Sequence, residues 1–482
     1  MQNYSGMKVL VMGLGINGGG LESALYLARK GAEITVTDLR DEKALAPSIE
    51  KLEGLSPPVR YVLGRHEFDD FKNADMVIKN PGVRPDSPYL AASRRIETDI
   101  SLFLAASPGR LSAVTGSKGK SCTASAIHWV LNKARKADIL PGRAFLGGNI
   151  TVSPLSFLDE LSPGDDVVLE LSSWQLGDLR GRYRAGAALL KPRAAVLTAI
   201  LPDHQDRYGG MEPYVADKRV VYQGQDRGDI TIAGNDEWGR SFLKESRARG
   251  LTYSWEEPPA NKGGGWIGPG GQGFVRLPDG FQEGLQAELS RPEGMEVLPE
   301  RLLVPGEHQK KNLLAAALSL IDLGLPSEFI RGNLGNFPGI EHRLEFFCES
   351  GGIRFYNDTA ATIPEAAAAA TEAFRDPVVL LCGGTDKNLD YSPLVKVIPK
   401  AKAVVLLAGT GSVKLRSLLD RAGISYQGPF DSMDKALDAC LNAAAPGDNV
   451  VLSPGCASFG MFRNEFDRGR TWKETVRRSA GG

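Results

Sequence analysis

Short β-branched runs alternate along this chain with segments whose apolar residues recur at helical spacing, the rhythm of parallel α/β domains. Three stretches carry it. In the first, from Lys8 to about Pro108, the run Val9-Leu10-Val11-Met12 meets glycines, then a helical pattern from Leu21 to Lys30, then the strand Ile34-Thr35-Val36-Thr37. A further strand, Met76-Val77-Ile78, ends in Asn80-Pro81-Gly82. The second stretch opens at Leu111-Ser112-Ala113-Val114-Thr115 and continues to about Ile340. The third, from about Glu341, repeats the theme with Val378-Val379-Leu380-Leu381, Val404-Val405-Leu406-Leu407 and Val450-Val451-Leu452. One patch breaks the rhythm, Lys262 to Gly273, where the glycines fit either a disordered linker or a hairpin built around Trp266 and Phe274.

Composition narrows the class. A chain of 482 residues suggests roughly two to four domains. A net charge of −1 gives no general pull toward nucleic acid or acidic membrane, so neither is expected as a partner. The five cysteines, Cys122, Cys348, Cys382, Cys440 and Cys456, are scattered and form no CxxC pair, which speaks for a reducing compartment. No secretion-signal pattern opens the chain, and no apolar run reaches the roughly 18 residues a membrane span requires. A cytoplasmic protein is the expectation.

The chemistry begins at Thr115-Gly116-Ser117-Lys118-Gly119-Lys120-Ser121, between a strand and the helical pattern Ala124 to Lys133. Glycines there let backbone N–H groups turn toward phosphate oxygens, and the helix N-terminus adds positive potential. Lys120 can reach terminal phosphates, and the Ser121 hydroxyl can ligate magnesium. The strand Asp166 to Glu170 ends in a carboxylate where ligands of open α/β sheets bind, which places Glu170 to hold magnesium beside the loop. Read alone, Glu170 is better taken as an ordinary strand-end acid. The segment Pro202 to Tyr208, containing His204, follows the strand Ala195-Val196-Leu197-Thr198, and Lys218 lies in the helical pattern Tyr214 to Tyr222. Near the start, Gly13-Leu14-Gly15-Ile16-Asn17-Gly18 follows a strand, and Asp38 closes the next one. By itself this reads as a dinucleotide fingerprint, with a nicotinamide-dependent oxidoreductase as the natural guess. Two phosphate-binding loops in one chain fit a nucleotide-linked substrate plus ATP better. Asp38 can also simply cap the following turn.

The segments GSKGKS (116–121), ELSSWQL (170–176), DHQDRY (203–208), ADKRVVY (216–222), GEHQKKNLLAA (306–316), IEHR (340–343), NDTAAT (357–362), GGTDK (383–387) and SPGCASFGMFRN (453–464), in this order, resemble the Mur ligase family over nearly the whole chain. The resemblance implies an α/β fold of three domains. These are an N-terminal Rossmann-like UDP-binding domain (1–108), a central P-loop ATPase (109–340) and a C-terminal Rossmann-like domain that brings the amino acid (341–482). It implies ATP and two Mg2+ ions as cofactors. Its substrates would be UDP-N-acetylmuramoyl-L-alanine and D-glutamate, joined for peptidoglycan precursor synthesis by a monomer. Gly116, Ser117, Lys118, Gly119, Lys120, Ser121 and Cys122 would form the ATP loop, with Asn312, Arg343 and Asp358 holding the nucleotide across a domain joint. Ser121, Glu170, His204 and a carbamylated Lys218 would serve the metals, with Lys120, Glu170, His204 and Lys218 carrying the catalysis. Asn17, Asp38, Asn80, Gly82, Asn149, Ser172 and Gln175 would orient the UDP substrate, and Thr362, Lys387 and Ser458 the amino acid.

The implied reaction answers a chemical difficulty. A carboxylate is a poor electrophile, and γ-phosphoryl transfer converts it to an acyl phosphate that an amine attacks to give an amide and phosphate. Four positions depart from the family pattern. Lys118 stands for a usual Asn, Gln309 follows the histidine where Asn is usual, Ala360 replaces a lysine, and Glu465 an aromatic. Glu465 is expected to point away from the substrate or to pair with Arg463 or Arg468. The last two departures bear on amino-acid choice and leave an L-glutamate ligase as the alternative, with a folylpolyglutamate synthetase disfavoured by the N-terminal glycine loop. A non-catalytic nucleotide-binding homologue is disfavoured by intact Lys120, Glu170, His204 and Lys218.

Overall fold

The computed structural model describes residues 3–16, 18–150, 152–259, 261–278, 281 and 294–480. The chain divides into two compact units, one of Met1–Leu298 with Lys311–Asn333, the other of Pro299–Lys310 with Leu334–Gly482.

The first unit holds two main sheets. Five parallel strands, β1 (Lys8–Met12), β2 (Glu33–Asp38), β3 (Arg60–Leu63), β4 (Met76–Lys79) and β5 (Ile96–Glu97), run in the order β3-β2-β1-β4-β5. The order reverses direction between β1 and β4, which opens a crevice at their carboxyl ends. β1 is apolar on both faces beyond Lys8, as a strand covered on both sides must be. The second sheet contains β6 (Arg110–Thr115), β7 (Ala144–Gly148), β8 (Asp166–Glu170), β11 (Ala194–Leu197), β12 (Ile230–Gly234), β13 (Arg249–Ser254), β14 (Gly264–Ile267), β15 (Gly273–Arg276) and β16 (Met295–Leu298). A two-stranded ribbon, β9 (Tyr183–Arg184) with β10 (Ala187–Ala188), stands apart from it. The sheet order is β16-β15-β14-β13-β12-β11-β6-β8-β7. β6 therefore lies between β11 and β8, and the loop that leaves it opens at another reversal of strand order.

The glycine-rich patch is a hairpin. β14 pairs antiparallel with β15, and the Trp266 and Phe274 rings face each other across it with centroids 5.6 Å apart. Its glycines answer neighbours distant in sequence. A Cβ on Gly264 would lie 2.6 Å from the Thr252 carbonyl oxygen, and one on Gly265 would lie 2.8 Å from Leu314 Cγ.

The second unit is built on β17 (Glu345–Ser350), β18 (Ile353–Asn357), β19 (Val378–Gly383), β20 (Ala403–Leu407), β21 (Gln427–Phe430) and β22 (Asn449–Leu452). Their order is β17-β18-β22-β19-β20-β21, parallel except for the β17–β18 pair. Val379, Leu381, Val405 and Val450 of its strands pack with Trp472 of the C-terminal helix Glu465–Ala480 in one apolar cluster.

Candidate active site

At the exit of β6 the chain turns through Gly116 and Gly119, both at positive φ (145° and 97°), before the helix Lys120–Lys136 begins. Neither position has room for a side chain. A Cβ on Gly116 would sit 1.9 Å from Thr198 Oγ1, and one on Gly119 would sit 2.3 Å from Asn312 Oδ1. The second contact brings the Asn312 amide against the loop, and the Asn312 carbonyl also accepts from Thr123 Oγ1 at 3.2 Å. Lys120 Nζ folds back and donates to the carbonyls of Gly116 and Ser117, each at 3.0 Å. Ser117 ties the loop to its neighbours. Its hydroxyl donates to the Leu201 carbonyl, accepts from the Leu201 N–H and shares a hydrogen bond with Tyr214 OH. The Lys118 side chain is exposed, 3.5 Å from Asp203 Oδ2. Ser121 is half-buried at the second position of the helix, and Cys122 is buried with its thiol pushed up to about 12.

Beside the loop, Glu170 closes β8 opposite Val114 of β6 and is 1 % exposed. Its Oε1 accepts from Asn149 Nδ2 at 2.9 Å, whereas Oε2 is buried with no partner among the described residues. A buried carboxylate oxygen left open in this way is what a hard divalent cation requires. Lys218, also 1 % exposed, donates from Nζ to the same Gly116 carbonyl that Lys120 uses, at 2.8 Å, and lies 4.5 Å over the Tyr214 ring. Burial, then the charge of Lys120, lowers it to about 7. A lysine with a large neutral fraction near neutrality is a nucleophilic amine rather than a fixed cation, a state compatible with carbamylation. His204 stands at φ 51° before the short helix Gln205–Tyr208, with its ring 5.0 Å from that of Trp174.

A cleft of about 470 Å3 runs past these groups and on to the crevice of the first sheet. It brings together Lys120, His204, Lys218, Asn149, Ser172 and Gln175 with Asn80 and Gly82. Asn80 sits at the reversal of strand order. Its Nδ2 donates to the Gly13 carbonyl at 3.3 Å, and its Oδ1 accepts from Gly82 N–H at 3.0 Å. Ser172 and Gln175 form a reciprocal cap on the helix Ser173–Leu179. Asp38, at the end of β2, accepts from the N–H groups of Gly15 and Arg40 and is not part of the cleft lining. Asn17 lies outside the described residues. The cleft also contains Asp99, Trp174 and Tyr214, which the motifs did not single out. Asp99 is buried, with Oδ2 accepting from Ser153 Oγ at 3.1 Å, and burial raises its carboxyl above the usual range. Tyr214 was visible as a helix residue, but only the fold puts its hydroxyl on Ser117.

In the second unit, Arg343 is exposed on a turn whose flanking residues His342 and Leu344 have positive φ (68° and 44°). Asn357 holds the turn, donating to His342 Nδ1 and to Glu345 Oε2. The acids Glu341 and Glu345 near His342 are bridged by Lys473 Nζ at 2.9 and 2.8 Å, so they form an ion-pair network. Asp358 accepts from Ser453 Oγ at 2.6 Å and from Leu344 N–H, and burial raises it to about 7. The segments carrying Thr362, Lys387 and Ser458 are knitted together, with Gly455 N–H on the Ala361 carbonyl and Thr385 paired with Ala457. Thr362 is half-buried and Lys387 exposed, while the Ser458 hydroxyl is buried without a partner among the described residues. Arg468 is fully buried and donates to the Thr359 hydroxyl and to the Thr359 and Cys456 carbonyls. Among the described residues no ion pair joins it to Glu465, whose charge acts on it from a distance: the guanidinium is already spent on these oxygens. No ion pair joins Glu465 to Arg463 among the described residues either.

A phosphate loop at a strand-order reversal, a neighbouring open carboxylate and a second crevice in the same cleft define a nucleotide-using α/β enzyme with room for a second, extended substrate. The descriptions that match the sequence are the N-terminal domain of MurD-like Mur ligases over residues 7–101, the Mur ligase middle domain over 114–320 and the Mur ligase glutamate ligase domain over 342–456. The chain belongs to the Mur ligase family and has its three-domain architecture. Among its relatives is the UDP-N-acetylmuramoylalanine–D-glutamate ligase of Treponema pallidum, 41 % identical over 98 % of both chains. The enzymes of that name from Roseiflexus sp. and Borreliella afzelii are 39 % and 37 % identical, over 98 % and 99 % of both chains. The fold is shared with the solved UDP-N-acetylmuramate-alanine ligase of Thermotoga maritima, at TM-score 0.55 and 18 % identity over 98 % of this chain and 100 % of that one. Among the described residues no helix is long and apolar enough to cross a membrane.

Proposed function

We propose that this protein is an ATP-dependent ligase that joins D-glutamate to the carboxylate of UDP-N-acetylmuramoyl-L-alanine, with domain joints near residues 108 and 340. The observation that carries the reading is the single cleft in which Lys120, Lys218, His204 and the Glu170-bound Asn149 meet Asn80, Gly82, Ser172 and Gln175. One end suits ATP phosphates, the other a nucleotide-linked substrate.

Lys120 leaves the Gly116 and Ser117 carbonyls to meet the β- and γ-phosphates, offsetting the charge that builds as the phosphoryl group moves to the substrate carboxylate. Ser121 would hold one magnesium ion, and Glu170 Oε2, His204 and carbamylated Lys218 a second, and the bound ions would supply positive charge between the two anions that must meet. The carbamate forms when neutral Lys218 Nζ bonds to the carbon of CO2 and releases a proton, turning a cation into an oxygen donor. Asn312, Arg343 and Asp358 hold the nucleotide, while Thr362, Lys387 and Ser458 receive the amino acid, whose amine displaces phosphate from the acyl phosphate. The test is a mass-detected ligation assay with ATP, the UDP substrate and each glutamate enantiomer. An amide product that requires ATP and D-glutamate is expected. Its absence would overturn the reading.

A further inference from the structure

Between the first two sheets lies an ion pair that no motif announces. Lys79 is the last residue of β4, only 3 % exposed in its side chain, and its Nζ lies 2.7 Å from Oδ2 of Asp178, itself 10 % exposed. Asp178 sits on the helix Ser173–Leu179 of the neighbouring domain, 99 residues away in sequence. Burial lowers Lys79 and raises Asp178 from their ordinary values, and each partner's charge opposes the shift. Arg182 and Arg207 also act on both groups, so Asp178 is the anion among three cations. A second tier reinforces the link. Arg182 donates to Glu97 Oε2 at 2.7 Å and to the Ile96 carbonyl at 2.9 Å, both on β5, and to the Asp178 carbonyl at 2.6 Å.

Stability alone is a poor reason for such a pair, because apolar side chains of similar volume often serve as well or better. Its location supplies another reason. Lys79 is followed directly by Asn80, Pro81 and Gly82, which form one wall of the cleft, and its Nζ also reaches the Asn80 carbonyl at 3.5 Å. Asp178 lies one turn beyond Ser172–Gln175, which form the facing wall. Salt bridges fix distance and direction where apolar contacts allow sliding.

We propose that Lys79 and Asp178 are positioning residues that hold the two walls of the cleft in register for the UDP-linked substrate. This rests on the reading of the cleft as the UDP-substrate site. In the double variant Lys79→Met/Asp178→Leu, the melting temperature should be no lower than that of the wild type. Its KM for UDP-N-acetylmuramoyl-L-alanine should rise about tenfold or more, since small misplacements of a substrate cost up to ~10²-fold, while the KM for ATP stays unchanged. A wild-type KM for the UDP substrate, or equal rises in both KM values with a fallen melting temperature, would overturn the proposal. Should the double variant not fold, Asp178→Asn, which keeps the shape, is titrated with UDP by calorimetry. Weaker binding than wild type supports the pair's role, and equal binding refutes it. The calorimetric arm also decides the matter if the wild type shows no ligation, an outcome that would count against the proposed function instead.

Discussion

Lys120 and Lys218 share one acceptor, the Gly116 carbonyl, yet the proposed function gives them opposite electrostatic tasks. Lys120→Ala should lose ligation by about 10²-fold or more, because charge stabilisation in the transition state disappears, while UDP binding by calorimetry persists. Near-wild-type turnover would show that the loop does not serve ATP. Lys218 has a folded value of about 7 against the usual 10.5, so between these values the folded state holds fewer protons than the unfolded one. The stability it contributes is present above 10.5 and is lost as pH falls toward 7. In CO2-free buffer, Lys218→Met should therefore gain melting temperature over the wild type as pH drops from 10 to 7, and a constant difference would contradict the burial argument. Lys218→Ala should be nearly inactive and partly rescued by small carboxylic acids. Activity indifferent to bicarbonate and to such acids, in both proteins, would exclude the carbamate.

The helix Gly19–Arg29 shows what a motif conveys and what it omits. The glycine fingerprint marks Gly13, Gly15 and Gly18, all with positive φ, but the close approach falls on Gly20. A Cβ there would stand 2.2 Å from the Gly13 carbonyl oxygen and 2.6 Å from that of Leu14, and these backbone atoms cannot step aside. Gly20→Ala should cost about 1–3 kcal/mol of stability by overpacking and raise the KM for the UDP substrate, and a melting curve identical to wild type would refute this. The strands and the phosphate loop were legible because two-residue and helical periodicities are local. The Trp266–Phe274 hairpin was one of the two readings its glycines allowed, and the structure forms it. The clamp between Lys79 and Asp178 and the Tyr214–Ser117 bond were not legible, since their partners meet only through long-range packing. Ser172 and Gln175 were read from resemblance as substrate groups, and their spacing is also that of a helix cap, which the structure forms. Of the two readings of Glu465, pointing away from the substrate or pairing with Arg463 or Arg468, the structure shows no such ion pair among the described residues, because backbone carbonyls and a hydroxyl hold the Arg468 guanidinium.

At the scale of the whole molecule, the residues assigned to the nucleotide divide between the compact units. Lys120 and Asn312 belong to one, Arg343 and Asp358 to the other. If all four serve one ATP, binding must bring the units to a common closed arrangement. X-ray scattering should then show a smaller radius of gyration with an ATP analogue plus the UDP substrate than with neither, and an unchanged radius would contradict the shared site. Substrate choice also belongs to this scale, because in the proposed function the amino acid and the activated carboxylate would be read by different domains. The decisive measurement is ligation followed by mass, with UDP-N-acetylmuramoyl-L-alanine, ATP, magnesium and either D- or L-glutamate. The account predicts an ATP-dependent amide product formed faster with D-glutamate. Faster turnover of L-glutamate would contradict the stereochemistry, and no ATP-dependent product with either enantiomer would contradict the ligase itself.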